Sequence, residues 1–156
     1  MLFRKILTLA AVLAFAATAC SSSQKKTFAT PAAELVDAAE RGDEKRLQEL
    51  RSQGVNINQK NENGYTALMA AAERGQLNAV AQLIAAQADV NTTNKFTWNA
   101  LMLASVNGHT EVARALVAAG ANVKYITANG ETALLLAERG KHAELAQLLR
   151  SAGARK

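Results

Sequence analysis

The chain has 156 residues, a formal net charge of +5 and aromatic residues at only 4%. So modest a positive excess, with no basic stripe interleaved with aromatics, excludes nucleic acid as the expected partner. The single cysteine, Cys20, excludes an internal disulfide and fits a fold that needs none.

The first element along the chain is an export signal. Arg4-Lys5 supplies a positive start, and Ile6 to Ala19 is a 14-residue stretch that is apolar apart from two threonines. A membrane-spanning helix needs roughly 20 apolar residues, so residues 1–19 read as a cleavable signal. Ala17-Thr18-Ala19-Cys20 places small residues before the cysteine. This run resembles the bacterial lipoprotein signal, although the family's leucine three places before the cysteine is Ala17 here. The resemblance implies that Cys20 is lipidated and becomes the first residue, which also removes a free thiol. One acyl chain anchors only marginally, at about 0.8 kcal/mol per buried methylene; the multiply acylated cysteine of that family anchors firmly. Ser21 stands where an aspartate would retain such a protein in the inner membrane, which implies the periplasmic face of the outer membrane. Residues 20–30 form the lipidated N-terminus and a polar tether, flexible by composition. Cleavage leaves 137 residues, and the loss of Arg4 and Lys5 lowers the formal charge to +3.

The remainder repeats. Ala67-Leu68-Met69 returns as Ala100-Leu101-Met102 and as Ala133-Leu134-Leu135, each time 33 residues on. Thr66, Asn99 and Thr132 precede them on the same period. Ala38, Ala71, Ala104 and Ala137 form another column, as do Leu50, Leu83, Leu116 and Leu149. Gly42, Gly75 and Gly108 form a third, whose fourth member is Lys141 with Gly140 one place early. Gly54, Gln87, Gly120 and Gly153 form a fourth column. Four units are expected, at about 31–62, 63–95, 96–128 and 129–156. Thr30-Pro31 opens the first, a cap residue before a proline at the first helical position. Within the second, Thr66 is an N-cap, 67–74 has helical apolar spacing, Gly75 ends that helix, and 77–86 is a second helix. Segments such as Gln59 to Gly64 are polar and turn-forming. Neither helix buries its apolar face alone, whereas stacked neighbours do. Charged residues at both ends, including Glu34, Asp37, Glu40, Arg41, Arg150, Arg155 and Lys156, suit the terminal units of a stack.

Residues Asn63 to Gly75 (NGYTALMAAAERG), the endings Ala88-Asp89-Val90-Asn91 and Ala121-Asn122-Val123-Lys124, and the run Gly108-His109-Thr110-Glu111-Val112 together resemble the ankyrin-repeat family. The likeness covers about residues 31–156. It implies an all-α solenoid of about four helix-turn-helix units with fingers at the turn tips. The family's proline is alanine at positions 67, 100 and 133, a good helix former. Its histidine is Met69, Met102 and Leu135, which exchanges an inter-repeat hydrogen bond for apolar packing. Lys141 implies a different turn in the last unit, served by Gly140. His109 and His142 fall where the family uses histidine structurally. Met69 and Met102 are placed in the core.

The family grips partners with its turn tips and the exposed face of each first helix. Carried over, the rule gives Lys60, Glu62, Asn63 and Tyr65 at one tip; Asn94, Lys95, Phe96, Trp98 and Asn99 at the next; and Thr127, Asn129 and Glu131 at the third. The helix face adds Glu40, Arg41, Glu73, Arg74, Val106, Asn107, Glu138 and Arg139. Phe96 and Trp98 are the sharpest candidates, because large aromatics on a polar tip are typical interface anchors; Thr97 replaces the unit's usual glycine between them. Alanine at either is expected to weaken partner binding and leave the melt unchanged. No phosphate loop, nucleophile elbow or Cys/His pair is present, and the two histidines lack the third ligand that zinc wants. No enzyme, metal or cofactor is therefore expected. The expectation is a membrane-anchored periplasmic module, a monomer when free, that binds another protein on its concave face and inhibits or protects it in the manner of an immunity protein. An envelope assembly or stress-protection tether without inhibition is the alternative.

Overall fold

The computed structural model describes residues 30–154; the signal segment, Cys20 and the tether up to Ala29 lie outside them. Among the described residues there are eight helices and no strand: α1 Pro31–Arg41, α2 Glu44–Ser52, α3 Ala67–Arg74, α4 Leu77–Ala85, α5 Ala100–Asn107, α6 Thr110–Ala118, α7 Ala133–Arg139 and α8 Ala143–Ser151. They alternate between two layers. Each odd-numbered helix packs on the next odd one, each even on the next even, and each pair on itself. The result is an all-α solenoid, as the repeat predicts.

The repeated columns explain the helices. Thr30, Thr66, Asn99 and Thr132 each cap an inner helix, accepting from the amide three residues on. Gly42, Gly75 and Gly108 end three of them in the left-handed conformation. Ala38, Ala71, Ala104 and Ala137 are buried, and their small side chains let neighbouring inner helices approach. Leu50, Leu83, Leu116 and Leu149 fill the seam beneath the outer helices, and Met69 and Met102 are in the core. The helix expected to reach Ala86 stops at Ala85, with Ala86 as its cap.

Three of the outer helices lack a side-chain cap because the residue at that position reaches backwards instead. Gln76 Nε2 donates to the Glu40 carbonyl at 3.3 Å. His109 Nε2 lies 3.0 Å from the Glu73 carbonyl, and His142 Nε2 lies 3.3 Å from that of Val106. A carbonyl only accepts, so these nitrogens carry the proton. Each side chain lies over the helix-ending glycine of the preceding unit, where a Cβ on Gly75 or Gly108 would come within 2.6 or 2.4 Å of a histidine ring nitrogen.

That overlap corrects the reading of the last turn. Gly140 remains right-handed at φ −73°, and Lys141 itself takes the left-handed conformation at φ 60°. No further side chain from a following unit lies over this position among the described residues, so only the backbone preference for glycine remains.

The stack closes on charge. Glu138 occupies the column of Ala39, Ala72 and Ser105, and Arg150 that of Ile84 and Val117; they pair at 2.5 Å. At the other end Arg46 bridges Glu34 and Glu49, and Arg41 pairs with Asp37.

Candidate functional site

Each finger is a tight loop pinned by one polar side chain. Asn94 Oδ1 accepts from the amides of Phe96 and Trp98 at 2.9 and 3.1 Å, and the Asn94 amide donates to the Trp98 carbonyl. Asn61 does the same one unit earlier, and the Thr127 hydroxyl accepts from Glu131 one unit later. The turn needs a left-handed residue, supplied by Gly64, Thr97 and Gly130 at φ 79°, 63° and 77°. Thr97 is β-branched, and this conformation costs such a residue about 1–2 kcal/mol. Thr97→Gly is expected to raise stability by about 1 kcal/mol, after the added freedom of the unfolded chain is set against the relief. Chemical denaturation measures it; an unchanged or lower midpoint would show the loop carries no strain.

Two expected contact residues are otherwise employed. Asn99 is 1% exposed, its Oδ1 spent on the Met102 amide as the cap of α5. Asn94 is 7% exposed and spent on the turn. Trp98 is half-buried against the core and donates from Nε1 to Glu131 Oε2 at 2.9 Å, one finger over. Glu131 also faces Arg139 at 3.5 Å. Arg74 reaches back to Glu40, and Glu138 belongs to the closing pair. Phe96 is 73% exposed, the most exposed of the large apolar side chains described.

The remaining candidates converge. Between the fingers and the inner helices lies an open hollow of about 630 Å³. Tyr65, Glu73, Lys95, Phe96, Trp98, Val106, Asn107, Asn129 and Glu131 line it, with Asn94 contributing a wall. A smaller one of about 400 Å³ adjoins it and shares Tyr65, Glu73, Lys95 and Phe96. Arg74, Asn99, Glu138 and Arg139 line neither. Three further residues, Thr97, Leu103 and Ala128, line the larger hollow. Leu103 was legible in principle, since it precedes Val106 and Asn107 by three and four residues and so shares their helix face.

Burial, and secondarily the nearby Glu73 carboxylate, push the Tyr65 hydroxyl above its ordinary pKa, against a smaller opposing effect of Asn94. Among the described residues no group of three or more His, Cys, Asp or Glu is placed to hold a metal.

The family model for ankyrin repeats, in three copies, matches residues 35–126 and again 76–156. The chain belongs to the ankyrin-repeat family, whose stacked units form a scaffold for protein–protein interaction. No curated protein matches it.

Proposed function

We propose that this chain is an exported, lipid-anchored protein of the bacterial envelope that holds one partner protein on its concave face and masks the surface it covers. The observation that carries the binding reading is the aromatic hollow, with Phe96 standing open beside the half-buried Tyr65 and Trp98. Soluble proteins seldom leave a large aromatic side chain this bare on a rigid tip without a use for it. The anchoring reading rests on Arg4-Lys5, the apolar run behind it and Ala17-Thr18-Ala19-Cys20. Lipidated at Cys20, the chain would sit on the periplasmic face of the outer membrane with its groove facing the compartment.

The experiment is a pull-down from envelope extract. The bait is the full chain in detergent, with a Phe96→Ala variant beside it. One stoichiometric partner, lost with the variant, supports the reading; the same partners with both baits overturn it. Cys20→Ser is expected to move the protein from the membrane fraction to the soluble one. Unchanged membrane association would remove the anchor.

A further inference from the structure

The hollow holds more carboxylates than cations on a solenoid whose charges otherwise nearly balance. The +5 of the full chain comes from its two ends; residues 30–154 carry twelve Lys and Arg against thirteen Asp and Glu. The hollow carries two carboxylates, Glu73 and Glu131, against the single ammonium of Lys95. Glu131 is engaged by Trp98 and Arg139. Glu73 has no ion pair and no side-chain hydrogen bond among the described residues, and it shares the hollow with Tyr65, Phe96 and Trp98.

A half-buried carboxylate among aromatic side chains is suited to one kind of guest. A guanidinium is planar, weakly hydrated and permanently charged, so it stacks on aromatic faces while pairing with a carboxylate. An acidic guest would meet Glu73 as a like charge, and an aliphatic one would leave that carboxylate desolvated without compensation.

We infer that the hollow between the second and third units receives an arginine side chain of the partner protein, stacked against Phe96 and Tyr65 and paired with the Glu73 carboxylate. This rests on the concave-face reading and specifies its central contact.

Trp98 is the only tryptophan, so its indole N–H gives one unambiguous signal at the edge of the hollow. The test follows that signal in the full chain, nitrogen-15 labelled and kept in detergent. The probes are acetyl-Ala-Arg-Ala amide and its glutamine and glutamate counterparts. The arginine peptide is expected to give a saturable shift with millimolar affinity, about tenfold tighter than the glutamine peptide. Glu73→Gln is expected to bring the two level, with the melt of the variant confirming its fold. No response to the arginine peptide, or equal responses to arginine and glutamine in the parent protein, overturns the inference. That comparison needs no variant. If the arginine peptide fails while Phe96→Ala still loses the partner, only the guanidinium assignment falls. If the partner survives Phe96→Ala, the concave-face reading falls with it.

Discussion

Gly108→Ala is expected to lower the stability of the solenoid by about 3 kcal/mol. Two costs combine at this position. The backbone sits at φ 75°, where an alanine costs about 1–2 kcal/mol. The added Cβ would also lie 2.4 Å from Nδ1 of His142. That ring cannot retreat without breaking its bond to the Val106 carbonyl, a loss of about 1 kcal/mol, and opening the seam between two units. Lys141 supplies the internal control, with a similar φ and, among the described residues, no ring of a following unit over it. Lys141→Gly should therefore stabilise by about 1 kcal/mol or less, from the backbone alone. Denaturant titration of both variants gives the comparison. A Gly108→Ala loss below about 1 kcal/mol would mean that the histidine swings aside freely. His142→Ala in the same background should recover the part due to the ring, because the two sites are in contact and do not add independently.

Trp98→Ala and Phe96→Ala are expected to part company in a melt, although the sequence treats them alike. Trp98 packs against the core and bonds Glu131 across to the next finger. Its truncation is expected to cost about 2 kcal/mol, roughly half the loss seen for a fully buried aromatic. Phe96 is open to solvent, and its truncation should stay within about 0.5 kcal/mol. Thermal melts by circular dichroism separate the two. Equal losses would place Phe96 in the packing and remove it as an interface anchor. Binding tests that use Trp98→Ala thus conflate lost contact with lost stability, and Phe96→Ala is the cleaner probe.

The fold was legible because its determinants are local and repeated. Thr66, Asn99 and Thr132 announce helix starts, Gly75 and Gly108 announce stops, and alanine and leucine columns announce which faces meet. The hollow was legible only in part. Asn94 and Asn99 belong to a residue type that serves equally at a binding tip and inside a turn, and the choice depends on which amides they meet. Trp98 looked free because its partner, Glu131, lies a full repeat away, and only the stacking of fingers brings the two together. Lys141 looked like a changed turn. It is an unchanged backbone over which no histidine or glutamine lies among the described residues, which a single unit read by itself does not reveal.

Consider again the backward-reaching bonds from Gln76, His109 and His142. Their acceptors are the main-chain oxygens of Glu40, Glu73 and Val106. Glu40, Glu73 and Val106 also turn their side chains into the two hollows. One residue in each of the first three units thus does two jobs with different atoms, joining the repeats through its carbonyl and lining a hollow with its side chain. A glutamate and a valine join equally well. Point substitution at Glu73 or Val106 can therefore reshape the hollow while the carbonyl joints stay constant; Glu40 is also tied to Arg74 of the next unit through its carboxylate and lacks that freedom.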